Sequence, residues 1–370
     1  MEQTRRGMLK TMGSAAIVAS AGALPVALAS PSTAATSGAA AAAATTAAGA
    51  APLTIRLLLN SGLSGPHAFF CLAKERGYFS DAGLDVQFVA GAGASGSVPV
   101  MAVQGYEAGY GDFGSLVKVA AMRPHESPVA VHMTFSATPL TIGVRKGGRI
   151  RKPRHLEGKV ITGNSMDTAI EILSPYAVRA GFDESRLSIM RSPAALSVMA
   201  KDVVDGHVDG VFGFVNTIIA ALASIGIDGR KELDFLEYRD VLPDFFGNAL
   251  MVAPSLIRDH PDAVRAFVAG VNRGIADTYA DPDAALRALE RQKPDFRWDV
   301  DGPRLLGTLE NEMAHPDTLV HGIGDVTNER LHSCVRLLVD ACRLPHPPAP
   351  HQVFSRDFLP PLDERARPVF

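Results

Sequence analysis

Cysteine is scarce in this sequence: 370 residues hold three, Cys71, Cys334 and Cys342. Cys334 and Cys342 fall on one predicted helix, roughly 12 Å apart along its axis at about 1.5 Å per residue, too far to bond each other. A framework of disulfides is therefore not what holds the fold. Neither C-x-x-C nor H-E-x-x-H occurs and the eleven histidines are scattered, so no metal site is recognisable. The G-x-S-x-G turn of a serine hydrolase is missing too. Charge is thin: 20% of residues are charged and the net charge is −3, which excludes a general nucleic-acid surface. The one short basic cluster, residues 149–154, reads as a solvated loop. What the chain has is bulk, since 370 residues at 47% hydrophobic content can bury a large core and form two lobes.

The first residues read as an address. Thr4-Arg5-Arg6-Gly7-Met8-Leu9-Lys10 resembles a twin-arginine export motif, followed by an Ala-rich apolar run and the small-residue site Ala27-Leu28-Ala29. Residues 1–29 are thus expected to be a twin-arginine signal peptide handled by the twin-arginine export machinery. Residues 30–52, almost wholly Ala, Thr, Ser, Gly and Pro, form a low-complexity linker with too little apolar bulk to pack. The apolar run is short and broken for a permanent membrane span. With no cysteine near the cleavage site, a lipid anchor is not expected, and the protein is placed in the periplasm or outside the cell.

The remainder is organised around residues 74–115. Gly77 and Gly83 stop a helix, LDVQFV at 84–89 alternates as a half-buried strand, and GAGASGS breaks the chain. A helix over about residues 98–107 and a short buried strand at 109–113 follow. A strand-to-helix loop of this kind gathers free N–H groups at the positive end of a helix dipole, an anion site needing no basic side chain. Gly91, Gly93 and Gly96 also satisfy G-x-G-x-x-G, with Asp112 near the offset of a ribose-binding acid in a dinucleotide fold. Glycines serving only a tight turn explain the same pattern.

GYF at 77–79, GLDV at 83–86 and DFG at 112–114 come in an order and spacing that resemble the N-terminal lobe of periplasmic solute-binding proteins of the nitrate, taurine, alkanesulfonate and thiamine-pyrimidine-precursor group, the NMT1/THI5-like proteins. The likeness extends more loosely from about Leu53 to F-x-x-D-F-L-P at 354–360. It implies an α/β, two-lobed, periplasmic-binding-protein-like (type II) fold with its ligand cleft between lobes joined by a two-crossing hinge. Residues 53–140 plus 246–344 make lobe one, 141–245 lobe two, and 345–370 a Pro-rich C-terminal tail. The hinge is expected near residues 138–142 and 243–249.

In an open parallel sheet, ligands sit beyond the carboxyl ends of the strands. That rule places Asn60, Ser64 and His67 after the first strand, Gly93, Ala94 and Ser95 in the glycine loop, and Phe113, Gly114 and Ser115 after the third. Thr138 at the crossing, Asn164, Ser165 and Thr168, with Asp167 beside them, and Phe214 and Asn216 face them, and Asn248 stands near the return crossing. Backbone N–H groups at Ala94, Ser95 and Ser115 are expected to hold an anionic or carbonyl oxygen. Phe113, Phe214 and Phe246 are candidates to stack on an aromatic ring, or else to pack the core. The predicted cleft loops carry no obvious arginine, so charge on a ligand would be met by helix dipoles and hydroxyls.

A receptor needs a cleft, polar anchors and a hinge, whereas an enzyme needs a nucleophile or base within reach of substrate. The chain supplies the first set. The resemblance implies a solute-binding protein, acting as a monomer without a cofactor or nucleic acid, that delivers a small-molecule ligand to an ABC transporter permease. Its expected ligand is aromatic or heteroaromatic, with a sulfonate or a pyrimidine precursor among the anionic options. Two enzymes of the same fold are alternatives, a sulfinate desulfinase using cysteine and a pyrimidine synthase using a lysine-bound cofactor and a cysteine-rich motif. An exported NAD(P) oxidoreductase of the dinucleotide fold is a third.

Overall fold

A computed structural model describes residues 51–368. The expected signal peptide and nearly all of the expected linker lie outside the described residues. Among the described residues ten strands occur: β1 (Leu53–Leu58), β2 (Leu84–Val89), β3 (Ala108–Asp112), β4 (Val129–His132), β5 (Leu140–Arg145), β6 (Val160–Gly163), β7 (Ser188–Arg191), β8 (Gly210–Phe214), β9 (Leu233–Glu237) and β10 (Asn248–Val252). They form two five-stranded sheets, ordered β2-β1-β3-β10-β4 and β7-β6-β8-β5-β9. In each, three strands run parallel, and a strand arriving from the other lobe pairs antiparallel with the third: β10 with β3, and β5 with β8. Both lobes therefore share one topology, and the chain is the expected two-lobed α/β fold. A dinucleotide fold needs an order of 3-2-1-4-5-6. The antiparallel β10 beside β3 removes that reading, and with it the oxidoreductase built on G-x-G-x-x-G.

Lobe one carries helices α1 (Ala68–Glu75), α2 (Ala94–Gln104) and α3 (Phe113–Met122), and lobe two carries α4 (Thr168–Glu171), α5 (Leu173–Ala180), α6 (Leu196–Asp205), α7 (Val215–Ala223) and α8 (Gly229–Glu232). After β10 the chain is helical: α9 (Pro254–Asp259), α10 (Pro261–Ala280), α11 (Pro282–Glu290), α12 (Trp298–Thr308), α13 (Pro316–His321) and α14 (Asn328–Cys342). The apolar stripe of α10, Val264, Phe267, Val268, Val271 and Ile275, is wholly buried, as its spacing of three and four requires. The Pro-rich end lies down on lobe one. Phe354 bridges to Ala130 and so covers the outer edge of β4, while Asn272 holds the chain at Glu364 and Ala366.

β4 stops at His132, where the chain leaves the sheet to cross between lobes. The two crossings are laced to each other by backbone bonds: Phe135 N–H to Asn248 O (2.9 Å), Gly247 N–H to Phe135 O (3.0 Å) and Thr138 N–H to Phe245 O (3.1 Å). They approach so closely that a Cβ on Gly247 would stand 2.7 Å from Pro139 and 2.9 Å from Phe135. Arg330 of α14 seals the pair. Its guanidinium donates to Ser136 O (2.8 Å) and Pro243 O (3.2 Å), one carbonyl from each crossing, meets Asp317 at 2.8 Å and lies over the Phe246 ring.

Arg330 is 8% exposed, so a replacement leaves two carbonyls and a carboxylate short of donors. Arg330→Met is expected to cost about 3 kcal/mol in urea melts, and Arg330→Lys nearly as much because one ammonium cannot reproduce the fork. A loss under about 1 kcal/mol in both variants would show that the crossings hold without it.

Candidate functional site

A cleft of about 240 Å³ opens between the lobes. Asn60 and Ser61 after β1 and Ala92, Gly93 and Ala94 after β2 line one side. Asn164, Met166, Asp167 and Thr168 after β6, Leu196 at the start of α6, and Gly213, Phe214 and Thr217 around the β8–α7 junction line the other, and Arg304 enters from α12. These are the carboxyl ends of β1, β2, β6 and β8, where the strands stop and helices begin.

Three helices of nine residues or more start at this cleft, α2, α6 and α7, with Gly93, Ala195 and Phe214 in their N-cap positions. None of the three supplies a side-chain cap, whereas α3, α11 and α14 are capped by Asp112, Asp281 and Thr327. Uncapped first-turn N–H groups leave positive potential at the cleft wall. The helix expected from residue 98 in fact starts at Ala94, so Ser95 and Gly96 belong to it rather than to the loop. Gly91 is fixed by crowding, since a Cβ there would lie 1.9 Å from Leu59 O, and Gly93 takes φ +129°. The glycine pattern is thus turn and close-approach chemistry that delivers the α2 terminus.

Arg304 is the cation that the loops did not advertise. It is half-buried, donates to Thr217 Oγ1 at 3.1 Å, and forms no ion pair among the described residues; its Nε–H has no acceptor there. Burial lowers its pKa, while Glu312 and Asp301 work in the opposite sense. Across the cleft, burial pushes the Asp167 carboxyl up to about 6, against its bond from Ala169 N–H.

Of the sixteen candidates from sequence, Asn60, Gly93, Ala94, Asn164, Thr168 and Phe214 line the cleft. His67 stands one layer behind. Its Nδ1 accepts from Ser64 N–H (3.2 Å), which leaves Nε2–H to donate to Asn60 Oδ1 at 2.7 Å, so the ring fixes which face Asn60 turns to the cleft. Ser64 completes that network through its hydroxyl. Ser95 and Ser115, whose N–H groups were expected to hold a ligand oxygen, use them inside the protein: Ser95 donates to Thr168 Oγ1 (3.1 Å) and Ser115 to Asp112 (2.7 Å). Ser95 thereby joins the lobes, and Asp112 is a helix cap rather than a ribose ligand.

Phe113 and Phe246 pack edge to face in the core at 5.6 Å, and Gly114 is buried against Ile172, so neither ring is available for stacking. Thr138 and Asn248 are buried at the crossings, Ser165 is exposed outside the cleft, and Asn216 reaches across to Glu312. Arg304, Leu196 and Met166 were missed. Arg304 and Leu196 lie on helices, where no loop motif marks them. Among the described residues no lysine or cysteine lines the cleft. Cys71, inside α1, is wholly buried with its thiol pushed up to about 12, which makes it a packing residue, not a nucleophile.

The family model described as NMT1/THI5 like matches residues 64–285. The chain has no match among the curated proteins compared with it. Among solved structures it is similar to the alkanesulfonate-binding protein SsuA from Xanthomonas axonopodis pv. citri bound to MOPS, at 14% identity and a TM-score of 0.60, covering 82% of this chain and 96% of that one. The periplasmic aliphatic sulphonate binding protein SsuA from Escherichia coli gives 14% identity and a TM-score of 0.60, covering 81% and 91%. The desulfurization enzyme DSZB gives 13% and 0.54, covering 83% and 97%. At such identities the likeness is one of fold.

Burial lowers the His67 pKa to about 3, helped by the charge of Arg304, while the unfolded chain keeps an ordinary histidine. Between those values the unfolded state binds more protons, so this residue's contribution is lost as pH falls from about 6.5 toward 3. His67→Phe is expected to be about 1–3 kcal/mol less stable at neutral pH, with Asn60 and Ser64 unpaired, yet to lose less stability between about pH 6 and pH 4.5. Urea melts at both values check this; parallel slopes would place the proton elsewhere.

Proposed function

The chain belongs to the NMT1/THI5-like family, and we propose that it is an exported solute-binding protein that captures a small organic anion and hands it to the permease of an ABC importer. The observation that carries this is Arg304, a guanidinium without an ion pair among the described residues, at a cleft where helices α2, α6 and α7 begin without an N-cap side chain. A planar fork and fixed N–H dipoles suit a sulfonate or carboxylate. Phe214, Met166 and Leu196 offer the ligand's body an apolar wall, and Asn60 and Asn164 offer it neutral polar contacts. With Phe113 and Phe246 buried in the core, one aromatic ring remains, which favours a short alkyl or single-ring body over a large stacked one. Nitrate would leave most of the apolar wall unused.

The cleft also supports capture without chemistry. It presents neither a thiol nor an amine, and its one lining carboxyl, Asp167, is already engaged as the cap of α4. On the cleft side the lobes are joined by hydrogen bonds, among them Ser95 to Thr168, Arg304 to Thr217, Asn216 to Glu312, Arg297 to Ser224 O and Arg239 to Asn311 O. Such bonds can exchange with water when the lobes part, which is what capture and release require. Action as a monomer, and entry through the twin-arginine pathway, complete the reading.

The test is a thermal-shift screen of the full-length protein against alkyl and aryl sulfonates, carboxylates and pyrimidines, with recovery of the bound solute. A ligand at a hundredfold its dissociation constant stabilises by roughly 2.7 kcal/mol, a readable shift in Tm. Sulfonates or carboxylates should shift the protein and return unchanged, and Arg304→Gln should weaken them by about 10- to 100-fold. A shift confined to neutral pyrimidines, or a solute that returns altered, would overturn the reading.

A further inference from the structure

Behind the cleft wall, on the protein side of Arg304, lies the Glu312 carboxyl. Glu312 sits in the π-helical turn Leu309–Met313 that follows α12, and it is 4% exposed. Its Oε1 accepts from Asn216 Nδ2 at 3.0 Å, and its Oε2 meets Thr308 Oγ1 at 2.9 Å. Its main-chain oxygen receives Ala137 N–H (3.0 Å), which ties it to the first crossing. Neither partner of the carboxyl is charged. Both contacts also serve a neutral acid: the amide of Asn216 still donates to the carbonyl oxygen, and the Thr308 hydroxyl turns to accept from the acid's own O–H.

The charged and titratable groups around it can be named element by element. From α12 come Arg304 and Asp301, the latter paired with Lys293. Beyond β9 stands Arg239, paired with Glu237, and from β3 comes the Tyr110 phenol. Across α7 the groups are neutral, Asn216 and Thr217. The cleft adds Asp167. Arg304 is thus the one unpaired cation of the set. It feels the Glu312 carboxyl from inside the protein, and that of Asp301, which Lys293 already balances. When Glu312 is ionised it offsets the guanidinium, and an arriving anion meets a site with little net positive charge.

We propose that Glu312 sets the charge the cleft accepts, so that binding an anion at Arg304 is coupled to protonation of Glu312 and the protein takes up a proton from solvent as it closes on its ligand. This rests on the anion reading of the cleft given above. Glu312 is more deeply buried than Asp167, and burial, the largest influence, pushes it up to about 7, against the pull of Thr308, Asn216, Arg304 and Arg239. The Asp167 carboxyl, at about 6, lies a step lower. An anion beside Arg304 disfavours the ionised form further, so affinity rises as pH falls through neutrality, by at most tenfold per pH unit for one linked proton.

The test is calorimetric titration of the full-length protein with butane-1-sulfonate, whose own charge is constant over the range used. Titrations in two buffers of different ionisation enthalpy, from about pH 6 to pH 8.5, count the protons taken up. Wild type is expected to approach one proton near pH 7.5 and to bind about tenfold or more weaker at the alkaline end. Glu312→Gln, which keeps both hydrogen bonds, should bind at alkaline pH as wild type does at acid pH, with no uptake. Asp167→Asn should retain the uptake above about pH 7. Affinity that depends on Arg304 but is flat in pH overturns the proposal and leaves the anion reading standing. Uptake that survives in Glu312→Gln and vanishes in Asp167→Asn also overturns it. Absence of binding, or binding indifferent to Arg304→Gln, overturns the anion reading and this proposal together. The wild-type proton count decides the main point even if a variant fails to fold.

Discussion

The buried fork of Arg330 is the contact on which the two-lobed arrangement depends. Two stretches of backbone leave the sheets side by side and must keep their polar groups satisfied away from water, which is costly wherever a carbonyl lacks a donor. Three interchain-like backbone bonds do part of this, and one guanidinium reaches a carbonyl of each stretch while Asp317 balances its charge. Around this point the core runs without a break from lobe to lobe. Phe113 and Leu116 of α3 and Cys334 and Leu338 of α14 lie in the same apolar cluster as Ile172, Tyr176, Tyr238 and Phe246. The Tyr176 and Tyr238 rings stack at 3.9 Å, with the Tyr238 hydroxyl held by Ala169 O. Relative motion of the lobes is therefore confined to the far side, where the contacts are hydrogen bonds.

That asymmetry sets the chemistry of the cleft. On the crossing side, burial of large apolar surface makes separation unfavourable, and on the cleft side each contact exchanges readily with water. What remains at the cleft is an electrostatic pattern rather than a reactive group: helix termini without caps, one guanidinium, and carboxyls held partly neutral by burial. Fixed charges of this kind act on a ligand through the sign and position of its charge as well as through the area it buries.

Much of this pattern could be read from the sequence where it is local. The alternation of LDVQFV marked β2 at the bounds the structure gives. Loops after strands were legible because Asn60, Gly93, Ala94, Asn164, Thr168 and Phe214 sit where chain direction and turn residues leave few choices. β7 was not anticipated, since all four of its residues are exposed and no burial pattern betrays an edge strand. Phe113 and Phe246 looked like stacking rings because an aromatic beside a loop has the same sequence whether it points to the cleft or to the core. Arg304 was invisible for a deeper reason. It stands on α12, whose approach to α7 depends on the packing of α10, α11 and α12 on lobe one, and a single sequence carries no periodicity for contacts between such distant elements.

The placement of α12 also bears on how ligand charge and lobe closure would be linked in the proposed receptor. Asn216 projects from lobe two so far into α12 that a Cβ on Gly307 would lie 2.4 Å from its amide oxygen, and its amide nitrogen ends on Glu312. One turn earlier, Arg304 meets Thr217 of the same helix α7. Two of the bonds that join the lobes thus belong to residues that face the cleft or adjoin ones that do. In the proposed receptor, parting the lobes would return Arg304 to water and separate Glu312 from Asn216. A helix brought in from a distant part of the chain would then make capture and closure share the same few atoms, so that neither could be altered without altering the other.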